Sequence, residues 1–145
     1  MTNGKPQWDA ICSSPEETRA FGGRIAEQLE PGGVISLEGP LGAGKTQLVK
    51  GIAEALGHDG EVSSPTFTLV HEYCGGRVPI AHFDWYRLKS ADEVLGLGWD
   101  DYLSDDMLVL VEWGDRFPGL LPPDARRLVV EIDGNARRIR WAAGE

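Results

Sequence analysis

At 145 residues with two cysteines, the chain has room for one core of sheet and helices and is short for two, so any further site shares that core. Its 23 acidic against 14 basic residues leave a formal charge of -9, which argues against a broad phosphate-tracking surface for DNA or RNA. Cys12 and Cys74 fall outside any metal or redox spacing and read as reduced, buried thiols; with no apolar leader and no run of membrane-spanning length, a soluble cytoplasmic protein is expected.

Ser14-Pro15-Glu16-Glu17 spells a helix start: an N-cap serine, proline at the first helical position and an acid three residues after the cap. The spacing predicts a helix ending at Pro31-Gly32-Gly33, with Thr18, Phe21, Ile25 and Leu29 on its buried face. Gly22 and Gly23 inside it cost roughly 1 kcal/mol each relative to alanine, which close packing can offset. The apolar run Val34 to Glu38 then enters Gly39-Pro-Leu-Gly42-Ala43-Gly44-Lys45-Thr46, the pattern of a phosphate-binding loop between strand and helix. Glycines let successive amides turn inward toward an anion, and the helix that follows offers free N–H groups and the positive end of its dipole. Lys45 adds a full charge at the outer phosphates, and the Thr46 hydroxyl can hold Mg2+; the plain alternative is a glycine-rich turn. Leu48, Val49, Ile52, Ala53 and Leu56 give the helix its apolar face, closed by Gly57.

Glu61 to Phe67 is rich in turn residues, and residues 67 to 84 read as a β-hairpin with a loop of about four residues, Pro79 arguing for an edge position. Ser90-Ala-Asp-Glu93 opens a short helix stopped by Gly96, and Trp99 to Leu103 suits a further turn. Met107 to Trp113 is a continuous apolar run ending in a carboxylate, a parallel strand covered on both faces and a neighbour of the first strand. After a loop from Pro118 to Pro123, Arg127 to Asp133 and Ala136 to Trp141 flank Gly134-Asn135 as a closing hairpin. The expected fold class is α/β, a P-loop NTPase-like mixed sheet in a single domain over 1–145, with parallel central strands, flanking helices and antiparallel hairpins at its edges.

Turnover of a nucleotide needs a carboxylate near Mg2+ and a group that positions water or an acceptor. Asp84 and Glu112 are the candidates, each at the C-terminal end of an apolar strand, where open α/β sheets bind ligands. Glu112 has the more buried context, so a metal or water would offset its desolvation; a capping or salt-bridging acid is the alternative. Strand alternation sets His82 on the face of Asp84, where it orients that acid or meets solvent. Thr66 lies where nucleotide switches sense the terminal phosphate, against a plain Ser-Pro turn. Arg87 is more ordinarily a surface group than a phosphate ligand. Arg137, Arg138 and Arg140 on a terminal strand more often keep an edge solvated than contact nucleotide or tRNA. Three histidines, none paired at ligand spacing, do not make a zinc site.

Taken together, Gly39 to Thr46, Ser64-Pro65-Thr66-Phe67, His82-Phe-Asp-Trp-Tyr-Arg-Leu88 and Leu110-Val-Glu-Trp113 resemble the bacterial TsaE (YjeE) family over nearly the whole chain. The resemblance implies an ATPase that serves, with TsaB and TsaD, the formation of threonylcarbamoyladenosine beside the tRNA anticodon, acting on tRNA only through that assembly and without a membrane. It implies that Gly39 and Gly42 through Gln47, Ala43 and Gly44 among them, wrap the phosphates of ATP or ADP, with Lys45 on the outer ones and Thr46 on Mg2+. Asp84 would be the Walker B-like acid, Glu112 a second group at Mg2+, Thr66 the switch-like threonine, and Thr18, Gly134 and Arg138 would flank the nucleotide. Trp85 departs from the aliphatic residue of many relatives.

Three other readings stand beside this one. A P-loop small-molecule kinase usually carries an arginine-rich lid, whereas the arginines here are scattered. A GTPase would read its base with an Asn/Thr-Lys-x-Asp segment, and none of Lys5, Lys45, Lys50 or Lys89 sits in one. A pure binding module would keep the loop without turnover.

Overall fold

The computed structural model describes residues 9–29, 32–40, 42–58, 69–73, 75–103 and 106–141. A short strand, β1 (Asp9–Cys12), comes first and has no counterpart among the predicted elements. Ser14 then starts α1 (Pro15–Ala26): its hydroxyl accepts from the Glu17 amide at 3.1 Å, and Glu17 Oε1 accepts from the Ser13 amide at 2.6 Å. The first bond satisfies an amide that the opening turn leaves without a partner, and the second ties that turn back to the residue before the cap. The helix ends earlier than predicted, because Gln28 and Leu29 tighten onto the carbonyls of Ile25 and Ala26; Pro31 lies outside the described residues.

Strand β2 (Val34–Glu38) is buried at every position and leads through the glycine loop into α2 (Lys45–Ala55). The predicted hairpin is β3 (Val70–Tyr73) and β4 (Ile80–Asp84), with Tyr73 opposite Ile80. Its connection is longer than predicted, since the turn docks on the end of α2: the Arg77 amide donates to Leu56 O at 2.7 Å and its guanidinium to Ala55 O at 2.6 Å. Pro79 sits just before β4, which is an interior strand, and β3 is the edge. Helices α3 (Ala91–Gly96) and α4 (Trp99–Tyr102) follow, the first capped by Ser90 as its spelling implies. Strand β5 (Leu108–Glu112), two single-turn 3-10 helices, and the hairpin β6 (Arg126–Asp133) and β7 (Ala136–Trp141) complete the chain.

The seven strands form one mixed sheet in the order β1-β7-β6-β2-β5-β4-β3. Strands β6, β2, β5 and β4 run parallel; the outer pairings are antiparallel, as the fold class required. Because β1 covers β7, the arginines of β7 are not edge charges: Arg138 pairs with Asp9 at 3.1 Å and Arg140 with Glu131 at 3.2 Å. Helices α1 and α2 cover one face, packing Ile25, Leu48, Val49 and Ile52 on Ile35, Leu37, Leu110 and Val130. The other face is covered by α3, α4 and the loop after β5, with Trp85, Trp99, Phe83 and Val111 at its centre. Among the described residues no helix is long and apolar enough to cross a membrane.

The helix glycines find their compensation between α1 and α2. A methyl group on Gly51 would strike the Arg19 carbonyl, and one on Gly22 would lie 2.5 Å from the Leu48 carbonyl, whereas one on Gly23 meets only ordinary contacts at 3.8 Å. Gly51→Ala is therefore expected to destabilise the fold by about 2–3 kcal/mol through overpacking. Gly23→Ala is expected to stabilise it by about 0.5–1 kcal/mol through helix propensity. Urea unfolding midpoints moving in opposite directions would establish this close approach; equal shifts would dismiss it.

Candidate functional site

At the C-terminal edge of the parallel strands the chain leaves β2 through Gly39, whose φ is +150° and whose added Cβ would strike the Val130 carbonyl of β6. Only glycine lets the loop lie this close to the neighbouring strand. Gly44, at φ +102°, is the N-cap of α2 and supplies no side-chain cap, so the first amides of that helix keep their donors for another acceptor. Ala43 is buried beneath the loop and Gln47 is half-buried in the first turn of α2. The exposed Gly42 offers its carbonyl to Arg137 Nη2 at 3.2 Å.

Lys45 is buried, with its ammonium hydrogen-bonded to the carbonyls of Gly39 and of Pro40, the latter at 3.1 Å. The same ammonium stands 3.9 Å from the centroid of the Trp113 ring, a cation–π contact. Burial pulls its pKa below the usual lysine value, and the carboxylates of Glu112, Asp84 and Asp115 pull the other way. Trp113 takes φ +65°, a left-handed conformation that costs a non-glycine residue about 1 kcal/mol. That turn puts its ring against Lys45 and, at 4.8 Å between centroids, against Tyr86.

The parallel register sets Asp84 beside Glu112 at the ends of β4 and β5. Both carboxylates are buried, at 3% and 4% exposure, on the face that α2 covers. Glu112 Oε2 accepts the Thr46 hydroxyl at 3.2 Å, which ties the end of β5 to the first turn of α2. His82 is fully buried and meets Glu112 Oε2 through Nε2 at 2.6 Å; it does not serve Asp84 or solvent, as alternation alone suggested. The Asp84 carboxylate accepts the Tyr86 amide at 2.8 Å. Among the described residues no cluster of three or more His, Cys, Asp or Glu is arranged to hold a metal ion, while Thr46 and Glu112 present two hard oxygens at the loop.

The structure thus brings Gly39, Gly42, Ala43, Gly44, Lys45, Thr46, Gln47, Asp84 and Glu112 to one sheet edge. Thr18 lies under the loop: its methyl would stand 3.6 Å from a Cβ on Gly44, and its hydroxyl is bonded to Ser14 O at 3.3 Å. Gly134 is an exposed turn residue at φ +61°. Arg138 points to the opposite face of β7, in its ion pair with Asp9; the arginine that reaches the loop is its neighbour Arg137. Arg87 is exposed just after β4, and Thr66 lies outside the described residues. Period-two alternation along Ala136 to Trp141 separates Arg137 from Arg138 but does not say which face holds the loop. On the far face, a cavity of about 520 Å³ is lined by Glu38, Asp115, Pro118, Leu121 and Arg127. There the guanidinium of Arg127 forks onto the buried Glu38 carboxylate with two bonds of 2.8 Å.

The profile of the family described as threonylcarbamoyl adenosine biosynthesis protein TsaE matches residues 12–140. The chain is 42% identical over 132 residues to the tRNA threonylcarbamoyladenosine biosynthesis protein TsaE of Bacillus subtilis, covering 91% of this chain and 81% of that protein. It is 39% identical over 128 residues to the protein of the same name from Haemophilus influenzae, covering 85% and 81%. The crystal structure of YdiB from Bacillus subtilis is similar to this one, with a TM-score of 0.79 at 35% identity, covering 94% of this chain and 84% of that one.

Proposed function

The chain belongs to the TsaE family, and from that premise we propose that it serves tRNA threonylcarbamoyladenosine biosynthesis as a Mg2+-dependent, cytoplasmic ATPase regulating a TsaB–TsaD pair, with tRNA handled by the assembly. One observation carries the reading: the Thr46 hydroxyl of the loop meets the buried Glu112 carboxylate at 3.2 Å, directly below an uncapped helix start. A hydroxyl and a carboxylate are the kind and number of protein ligands that a phosphate-bound Mg2+ takes.

In this reading the first amides of α2 and the Lys45 ammonium receive the phosphates, while Gly39 and Gly44 keep the backbone free of side chains. Thr46 and Glu112 would hold Mg2+, which when bound offsets charge on the phosphate oxygens. Asp84, beside Glu112 in register, is the second acid for positioning water. Lys45 needs little rearrangement to meet an anion, because its two carbonyl partners and the Trp113 ring already hold it at the loop. The test is phosphate release from ATP and from GTP, by the chain alone and with TsaB–TsaD added. Release from ATP above background, raised by the partners and exceeding that from GTP, is expected. Background rates in all four conditions would end the ATPase reading and leave a nucleotide-binding role.

A further inference from the structure

All three histidines of the chain gather around one tyrosine: the ring centroids of His58, His71 and His82 lie 4.9, 6.2 and 6.0 Å from that of Tyr73. Tyr73 is buried, and its hydroxyl is 3.1 Å from His82 Nδ1 and 3.4 Å from His71 Nδ1. A phenol has one proton to donate, and the shorter contact assigns it to His82. His82 Nδ1 then accepts, which leaves hydrogen on Nε2, the nitrogen 2.6 Å from Glu112 Oε2. His71 Nδ1 faces the same Tyr73 oxygen from 3.4 Å.

The result is a continuous run of donors from the edge hairpin to the loop: Tyr73 to His82, His82 to Glu112, with Thr46 reaching the same Glu112 oxygen from the other side. Both bonds that Glu112 receives among the described residues end on Oε2, so the plane of the carboxylate is set by two donors and Oε1 stays directed elsewhere. Filling the core at these positions requires neither a phenolic hydroxyl nor a particular imidazole nitrogen.

We propose that Tyr73 and His82 are positioning residues for the nucleotide site: the Tyr73 hydroxyl selects the His82 tautomer, and His82 Nε2–H holds the Glu112 carboxylate against Thr46. This rests on the reading that Thr46 and Glu112 serve a Mg2+-bound nucleotide. It adds that the β3–β4 hairpin, through Tyr73, governs the aim of the acid.

The test uses the full chain, wild type and the variants Tyr73→Phe, His82→Gln and His82→Leu, each first checked for an unchanged thermal midpoint. Long-range proton–nitrogen NMR of the nucleotide-free protein is expected to show His82 as the Nε2–H tautomer, and a mixture in Tyr73→Phe. A fluorescent ATP analogue is expected to bind all four proteins alike without Mg2+. The Mg2+ concentration that half-saturates its tighter binding, and that of phosphate release, should rise about tenfold or more in Tyr73→Phe and His82→Leu. His82→Gln, whose amide can still donate to Glu112, should retain more of both than His82→Leu. An unchanged tautomer in Tyr73→Phe, or wild-type Mg2+ dependence in His82→Leu, overturns the proposal. Should the wild type release no phosphate, the ATPase reading falls, while the tautomer and the Mg2+ dependence of binding still decide the roles of Tyr73 and His82.

Discussion

Lys45→Ala is expected to weaken binding of ATP and ADP by about 100-fold, the equivalent of one strong charge-assisted hydrogen bond of ~3 kcal/mol. The ammonium is buried at the mouth of the loop, and burial already disfavours its charged form, so an anion placed there is its natural complement. Among the described residues its hydrogen-bond partners are two backbone carbonyls of the same loop, and the face of Trp113 lies against it. Removing it deletes no core contact between the helices and the sheet, so the unfolding midpoint should move little. Fluorescence titration with a labelled nucleotide measures the loss, and tRNA modification in cells carrying only the variant should fail. Wild-type affinity in the variant would show that no anion sits at the start of α2.

Glu112→Gln is expected to lower Mg2+-supported turnover by about 100-fold or more while changing nucleotide affinity far less. Glutamine keeps the shape and still offers an acceptor to Thr46 and His82, so the substitution isolates the charge. Glu112→Ala would confound the result, because it strands two buried donors and costs about 1–3 kcal/mol of stability. Steady-state phosphate release beside an unfolding curve separates the two effects. Turnover retained in Glu112→Gln, or lost only in proportion to folded protein, would make Glu112 a structural acid.

Helix starts were legible because they are written locally: Ser14 with Glu17 and Ser90 with Glu93 satisfy amides within one turn. The buried strands β2 and β5 were legible as unbroken apolar runs, and the closing turn as Gly134-Asn135. Strand β1 was not, since four residues with an exposed Ile11 show no pattern of their own and gain their place only by pairing with β7 at the other end of the chain. That pairing in turn overruled the expectation that the β7 arginines guard an edge. His82 shows the same limit: alternation named its face, while its partner depended on which strand lies next to β4.

By itself the sequence determined the part of the site that is continuous in the chain, namely the glycine turn, the uncapped start of α2, and Lys45 and Thr46 in its first turn. Those features follow from backbone geometry over a few residues; together with Ser64 to Phe67, His82 to Leu88 and Leu110 to Trp113 they carry the family resemblance that the chain's membership bears out. Only the tertiary structure decided that Glu112 meets Thr46, that His82 and Tyr73 stand behind Glu112, and that Arg137 faces the loop while Arg138 turns away to Asp9. These contacts join residues brought together by strand order and register, and long-range pairings of that kind are set by the packing of the whole sheet.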